Sequence, residues 1–389
     1  MIVVEIKIIK ERYNTEIAFL VLCCRVFLKT ADKEVLVSFI ADSRINWKKV
    51  YDLSTVHRIR PLVFNVLFPV KELVEEETFI LFRSFCMNFS SRIFSRKVEC
   101  DRITNILRQQ GIHTHPYKGF DLAAFIYKDI SLRECADIDV IIAEKDIIPV
   151  VDILKNEGYE MGNKDFYNRF PKQYYQQHKD VCFDKKGAFG GTFNFEFHFR
   201  LSKYSMNTNV LFSQLLGDDY LSPEREYDYK DYYKLLLINN GVSDYYPTLR
   251  SLLDLTFFNA EEPGPELERF DLLGRILSGH LFNTPFPLYD AANDQSLNYT
   301  SRFLLNELLG KQKTKKADFL RNVYLDFRFS NNMRLKLTTL LLALRFLIAP
   351  NGNDISGMRL PFYFLYYFTK VFRLTTRLLI RFAGIEGNN

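Results

Sequence analysis

Cysteine is scarce in this chain and is not arranged for metal binding or cross-linking. The 389 residues include six cysteines and a single tryptophan. The cysteines show neither the paired spacing of a zinc site nor the framework of a small disulfide-bonded domain. The six are Cys23, Cys24, Cys86, Cys100, Cys135 and Cys182. We therefore predict reduced, buried thiols in a cytoplasmic protein.

Long apolar runs and a strong net charge of either sign are also missing. The longest apolar stretches, residues 17–27 and 340–349, are shorter than a spanning helix or interrupted by arginine, so no transmembrane segment is expected. Residues 1–10 alternate like a short strand and lack a cationic start followed by a cleavage site, so we expect no signal peptide. The formal net charge of +5 suits phosphate ligands but is too small for a dedicated nucleic-acid groove.

What the chain does contain is a convergence of glycine, basic residues and carboxylates in residues 117–143. This stretch ends in ADIDVII, whose β-branched residues predict a buried strand that carries Asp137 and Asp139. Side chains two apart on a strand project from the same face, so both carboxylates point one way. Like charges side by side repel and raise each other's pKa, which a bound divalent cation would relieve. In isolation, the pair could instead be satisfied by backbone amides.

The start of the same stretch predicts a phosphate site. Lys118 and Gly119 separate a short strand from a helix. A glycine there lets a ligand approach the backbone, and the free N–H groups at the start of the helix attract anions. Arg133 lies close in sequence, and its planar guanidinium suits a triphosphate. The alternatives are that Lys118 is a surface residue of a turn and that Arg133 pairs with Asp129 or Glu134.

A third carboxylate is predicted on a later strand. Residues 192–200, TFNFEFHFR, alternate strictly and place Glu196 and His198 on one face. The chain between Asp139 and Glu196 has room for one helix and two strands, as a ligand on a neighbouring strand requires. Taken alone, Glu196 is a solvent-facing residue and His198 a packed one. Beside the aspartates, Glu196 becomes a third metal ligand, and His198 orients it or an acceptor hydroxyl.

These motifs resemble the signature of an uncharacterised nucleotidyltransferase family within the polymerase-beta-like superfamily. The matching residues are Lys118-Gly119, Leu122-Ala123, Tyr127, Leu132-Arg133, Asp137-Ile138-Asp139, Gly158-Tyr159 and Glu196 with His198. Phe199 stands where the family usually has tryptophan, and Asn239, Asn240 and Tyr245 stand near positions that usually carry histidines. More distantly, the pattern is similar to that of abortive-infection nucleotidyltransferase toxins.

The resemblance implies transfer of a nucleoside monophosphate from an NTP, such as ATP, to an acceptor hydroxyl with release of pyrophosphate. The catalytic and metal-binding residues would be Asp137, Asp139 and Glu196, holding two Mg²⁺ ions or Mn²⁺ in their place. The nucleotide-binding residues would be Lys118, Gly119, Arg133 and His198. The acceptor could be a small molecule, a protein or an RNA. The competing hypothesis is a non-catalytic nucleotide-binding or scaffold protein that keeps the fold.

The predicted fold is α+β, with a small mixed β-sheet that carries the carboxylates between N-terminal helices and a C-terminal helical bundle. We place the N-terminal helical region at residues 1–110, the nucleotidyltransferase core at 111–215 and the C-terminal helical domain at 216–389. Within the core, residues 162–171 are predicted as a polar loop.

The tail of the chain, residues 360–382, mixes aromatic residues with basic ones. Lys370, Arg373, Arg377 and Arg381 recur at spacings of three and four. This pattern predicts a basic amphipathic helix, whose simplest role is packing with a solvated face. The alternative is contact with an acidic membrane surface or with nucleic acid.

Overall fold

The α+β prediction is confirmed. The computed structural model describes residues 5–187, 191–201, 211–258, 263–265, 267–285, 294–311, 319–330 and 333–382. In this part of the chain, one mixed sheet of five strands is preceded and followed in sequence by helices.

The N-terminal region is helical, as the apolar spacing predicts. Its helices are α1 (Ile6–Arg12), α2 (Thr15–Phe27), α3 (Lys33–Ala41), α4 (Trp47–Val56), α5 (Arg60–Leu67) and α6 (Glu76–Gln109), with a 3₁₀ helix at Phe68–Leu73. Helix α2 is buried along most of its length, and the Asn14 side chain caps it by accepting from the Ile17 amide. The predicted strand at residues 1–10 is wrong for its described part, because α1 packs on α2 as a helix with Ile9 buried.

The sheet lies in the middle of the chain. Its elements are β1 (His115–Pro116), α7 (Gly119–Tyr127), β2 (Ile138–Ile141), α8 (Ile147–Asn156), β3 (Glu160–Met161), α9 (Lys164–Arg169), α10 (Pro171–Gln177), β4 (Asp180–Lys186) and β5 (Thr192–His198), with a 3₁₀ helix at Glu144–Asp146. The strand order is β1-β2-β5-β4-β3. Strands β2 and β5 are parallel, and the other neighbours are antiparallel. The two central strands therefore point the same way beside each other.

The segment between β3 and β4 differs from the prediction. Residues 162–171 were expected to form a polar loop, and the structure instead has helices α9 and α10 here. Phe166 and Tyr174 are each 1% exposed and pack edge to face. The burial of these two aromatic side chains stabilises the helices, although most of the residues around them are polar. The chain between Asp139 and Glu196 thus holds three α-helices, α8 to α10, and two strands.

The C-terminal region is helical, as predicted. Its helices are α11 (Phe212–Leu216), α12 (Tyr229–Leu236), α13 (Leu249–Thr256), α14 (Glu268–Phe282), α15 (Gln295–Gly310), α16 (Phe319–Phe329), α17 (Met333–Ile348), α18 (Gly352–Ser356) and α19 (Leu365–Phe382). A π-helix at Leu237–Val242 continues α12 directly. Such π-turns recur at functional sites.

Two apolar cores hold these elements together. In the first, N-terminal helix α2 packs against C-terminal helix α14, and the Arg25 Nε donates to the Leu281 carbonyl at 2.7 Å. In the second, the C-terminal half of α6 packs with the sheet, as Ile103, Val140 and Phe197 are all fully buried there. The division at residues 110 and 215 stays a prediction.

The tail helix α19 lies within the predicted range. Lys370 Nζ is 3.4 Å from Asp354 Oδ2, and Arg373 Nη2 is 2.8 Å from Asp354 Oδ1, so these two basic residues join α19 to α18. The side chains of Arg377 and Arg381 lie outside the described residues. No helix in the described ranges combines the length and the apolar character of a membrane span.

Candidate active site

The register of the two parallel strands brings the predicted carboxylates together. Asp139 of β2 stands opposite Glu196 of β5, and Ile141 stands opposite His198. Side chains of directly paired residues project from the same face of a sheet. Glu196 therefore occupies the neighbouring-strand position that the sequence predicts for it.

Asp139 is the most enclosed of the carboxylates. It is 7% exposed, and its Oδ1 accepts from the Lys118 ammonium at 3.0 Å and from His198 Nε2 at 2.9 Å. Burial alone would raise the pKa of Asp139, but the Lys118 charge and the His198 hydrogen bond hold it well below its usual range. Asp139 is thus ionised at neutral pH and has a cation in direct contact.

Three of the predicted residues form a group with the dimensions of a metal site. One ligand atom each from Asp139, Glu196 and His198 lie within 4.8 Å of one another, and His198 Nε2 is 3.4 Å from Glu196 Oε2. Two carboxylates and an imidazole are donors that Mg²⁺, Mn²⁺ or Zn²⁺ can use. The residues present therefore fit a divalent cation.

Asp137 lies outside this close group but interacts electrostatically with Asp139 and Glu196. It is half-buried and lines the same cleft. Burial raises the pKa of Asp137, and the negative charges of Asp139 and Glu196 raise it further. Negative charge thus accumulates at one place beside the neighbouring strands β2 and β5, which favours the binding of a cation.

The glycine after Lys118 is required by the backbone. Gly119 begins α7 with a φ of +51°, and a Cβ there would lie 3.4 Å from the Asp137 carbonyl oxygen and 3.5 Å from Cys135 Sγ. Only glycine adopts this conformation without strain. The N-cap residue, Lys118, does not cap α7 with its side chain, and Lys118 and Gly119 both line the cleft, so the start of α7 borders it.

Arg133 takes a different position from the one the sequence suggested. Its guanidinium is 5% exposed, and it donates through Nε to Asp254 Oδ2 at 3.0 Å and through Nη1 to the Gly119 carbonyl at 3.4 Å. The Tyr127 hydroxyl also donates to Asp254, at 2.9 Å. Arg133 therefore ties the glycine turn to helix α13 while still lining the cleft. Neither Asp129 nor Glu134 is its partner: Asp129 binds Ser131, and Glu134 binds Arg60.

The carboxylates open into a cleft of about 470 Å³ whose other wall is helical. That wall comes from α12, the π-helix, α13, α16 and α17. The cleft is also lined, from this wall and from other segments, by residues to which the sequence assigned no role. They are Arg58, Lys179, Asn239, Asn240, Asp244, Arg250, Asn322, Asp326 and Phe346. Asn239 and Asn240 had a weak signal, because they stand where the family pattern usually has histidine. Arg58 and Arg250 had none.

Arg250 is the most constrained cation of that wall. Its Nη1 donates to the Glu134 carbonyl, and its buried Nε has no hydrogen-bond partner among the described residues. Burial, together with the nearby charges of Arg133 and Arg58, lowers the pKa of Arg250 to about 10. Three arginines of the cleft thus lie close enough to influence one another electrostatically.

The comparisons with known proteins agree with this geometry. The model of an uncharacterised nucleotidyltransferase family matches residues 43–270. These residues include the sheet, helices α4 to α13 and the carboxylates Asp137, Asp139 and Glu196. No curated protein and no solved structure matches the chain.

Proposed function

We propose, from the premise that the chain belongs to the uncharacterised nucleotidyltransferase family, that it transfers a nucleoside monophosphate from an NTP to an acceptor hydroxyl. The hydroxyl oxygen bonds to the α-phosphorus, the bond from that phosphorus to the β-phosphate breaks, and pyrophosphate and the hydroxyl proton leave. A single observation carries the proposal: Asp139 and Glu196 face each other on adjacent parallel strands, beside the uncapped start of α7.

The metal-binding residues are Asp139 and Glu196, with His198 as a neutral-nitrogen ligand or as the group that orients them. Asp137, directly before β2, adds negative charge. A divalent cation bound there would neutralise the triphosphate and lower the pKa of the acceptor hydroxyl. Mg²⁺ is our first choice because carboxylate oxygens and phosphates are its usual ligands, and Mn²⁺ tolerates the imidazole as well.

Lys118 changes partners in this scheme. Its ammonium now sits 3.0 Å from Asp139 Oδ1, where a metal ion would compete with it. Once displaced, the flexible lysine side chain is next to the start of α7, within reach of an anion held by the helix amides. Lys118 and Gly119 therefore bind phosphate together, and Arg133 holds the glycine turn in the shape that this needs.

The helical wall receives the rest of the nucleotide. Arg58 and Arg250 add positive charge to the cleft. Asn239 donates through Nδ2 to the Leu235 carbonyl at 2.8 Å, which leaves its amide oxygen as an acceptor toward the cleft. Such a mixture of fixed amides and cations suits a base and its ribose phosphate.

The test is a transfer assay with each of the four NTPs, labelled at the α-phosphate, in the presence of Mg²⁺ or Mn²⁺ and a cell extract as the source of acceptors. We expect label in one acceptor fraction with one or two of the nucleotides, together with release of pyrophosphate. Thermal stabilisation by the same nucleotides measures binding separately. Nucleotide binding without transfer to any fraction would favour the non-catalytic hypothesis. The absence of both nucleotide binding and transfer would contradict the proposal.

A further inference from the structure

Helices α17 and α19 and the segment between them, which contains α18, expose an unusual amount of apolar surface. Half of the large hydrophobic side chains that are exposed in the described chain fall between residues 333 and 372. They are Met333, Leu337, Leu340, Leu341, Leu342, Leu344, Leu347, Ile348, Met358, Phe362, Phe364, Phe368, Val371 and Phe372. A patch of this density needs a partner, because isolated exposed apolar residues are normal but a contiguous group is not.

The exposed residues follow the helical repeat. On α17 the spacing from Leu337 to Leu341, Leu344 and Ile348 is four, three and four, and on α19 Phe368 and Phe372 are four apart and 72% and 73% exposed. Residues at this spacing share one face of a helix. Because α17 and α19 are in contact, their apolar stripes belong to one region of the surface.

The charge of this region is strongly one-sided. Residues 333–382 contain eight basic residues and one acidic residue, a net charge of +7 in a chain whose total is +5. The basic residues are Arg334, Lys336, Arg345, Arg359, Lys370, Arg373, Arg377 and Arg381. The acidic residue, Asp354, is 7% exposed and is engaged by Lys370 and Arg373. The segment therefore presents no exposed acidic side chain among its described residues.

We propose that α17 and α19 form a docking surface for a membrane that contains anionic lipids. Apolar faces bordered by lysine and arginine are what interfacial helices use, since the apolar side chains enter the headgroup region and the cations meet lipid phosphates. Arg345 stands between Leu341 and Ile348, and Arg359 follows Met358, so both kinds of contact alternate along the surface. A second copy of the chain is a less suitable partner, because two such surfaces, each with a net charge of +7, would repel each other.

The surface is fixed to the rest of the molecule. Arg169 of α9 donates to the Leu360 carbonyl at 2.6 Å, and the buried Tyr366 hydroxyl donates to the Met358 carbonyl at 2.6 Å. On its other face, α17 places Phe346 in the wall of the cleft. One helix thus carries both the exposed leucines and a residue of the candidate active site. Docking would hold the cleft close to the membrane.

The test is co-sedimentation of the full chain with vesicles of phosphatidylcholine alone and of phosphatidylcholine mixed with phosphatidylglycerol. We expect binding to the mixed vesicles to be at least about tenfold stronger and to weaken at high salt, because the net charge of +7 in residues 333–382 attracts the anionic surface. Binding that is equal for both vesicle types, or absent from both, would overturn the proposal.

Two double variants distinguish binding through this surface from nonspecific binding by exposed apolar residues elsewhere on the protein. Phe368→Ser with Phe372→Ser should abolish vesicle binding, and Phe68→Ser with Phe94→Ser, which removes phenylalanines of 57% and 55% exposure elsewhere, should leave it unchanged. Exposed substitutions of this kind shift stability little, so the melting temperature checks folding. Sedimentation velocity without vesicles reports the alternative occupant: a dimer that the first variant dissociates, with no vesicle binding, would assign the face to a second copy of the chain.

Discussion

On the sheet side of the cleft, burial alone would raise the pKa of Asp139, yet the Lys118 ammonium and the His198 ring hold it well below its usual range. On the helical side, Asp326 accepts a hydrogen bond from the Tyr245 hydroxyl at 2.8 Å, and burial raises its pKa to about 7. The two carboxyl groups line the same cleft. On the sheet side the carboxylate of Asp139 is paired with the cation of Lys118, whereas on the helical side the carboxyl of Asp326 is hydrogen-bonded to the neutral Tyr245 hydroxyl.

This difference separates two tasks. A carboxylate that stays ionised at neutral pH beside other carboxylates is suited to metal binding and phosphate chemistry. A wall that combines amides, aromatic rings, an arginine and a carboxyl that is easily neutralised is suited to the shape and hydrogen bonds of a ligand. We therefore expect changes on the sheet side to affect the chemical step, and changes on the helical side to affect binding.

The largest effect is expected for Asp139→Asn. The substitution keeps the side-chain shape but removes the charge that faces both Lys118 and a metal ion, so transfer should fall by roughly a thousandfold or more. Asp165→Asn, at an exposed position of α9, is the matched control and should retain full activity. Rates are compared per folded protein, with the melting temperature as the check. A variant within about threefold of the wild type would remove the metal assignment.

Glu196→Gln should give the next largest effect. If Glu196 binds the cation that activates the acceptor, turnover should fall by about a hundredfold while nucleotide binding stays nearly intact. Glu160→Gln changes an exposed glutamate on edge strand β3 of the same sheet and serves as the control. Turnover and nucleotide affinity that both match the wild type would make Glu196 a solvent-facing residue.

Much of the sheet side could be predicted from the sequence. The alternation of residues 192–200 and the apolar run around Asp139 are local patterns, and a strand's alternation fixes which side chains share a face. The helical side depends on tertiary packing: Arg58 and Arg250 are far apart in the chain, yet the charge of Arg58 lowers the pKa of Arg250. The same holds for Arg133, whose partner Asp254 lies 121 residues further on. Spacing within a motif carries no information about such partners.

On the helical side, Asn239→Ala should raise the KM for the nucleotide by about threefold to tenfold with kcat within about twofold, because it removes a ground-state contact. The control is Asn168→Ala on α9, an exposed helical asparagine outside the cleft. Steady-state kinetics with the preferred NTP separates the two parameters. A loss confined to kcat would place Asn239 among the groups that act on the reacting atoms and would break the division proposed above.

The smallest effect concerns stability and pH. The folded-state pKa of Asp326 is about 7, above the value near 3.9 of an unfolded aspartate, so its contribution is complete below about pH 4 and is lost as pH rises through 7. Asp326→Asn cannot ionise. The melting temperature of the variant relative to the wild type should therefore rise by a few degrees between pH 5 and pH 8, by order of magnitude. A difference that is constant across this range would contradict the raised pKa.

The most direct test of the central claim is Mn²⁺ binding, followed by the electron paramagnetic resonance signal of the free ion. The wild-type chain, Asp139→Asn, Glu196→Gln and the control Glu160→Gln are titrated without nucleotide under the same conditions. If the facing carboxylates of β2 and β5 form a metal centre, the wild type and the control bind Mn²⁺, and both site variants bind it at least about tenfold more weakly. Equal Mn²⁺ binding by all four proteins would contradict the account.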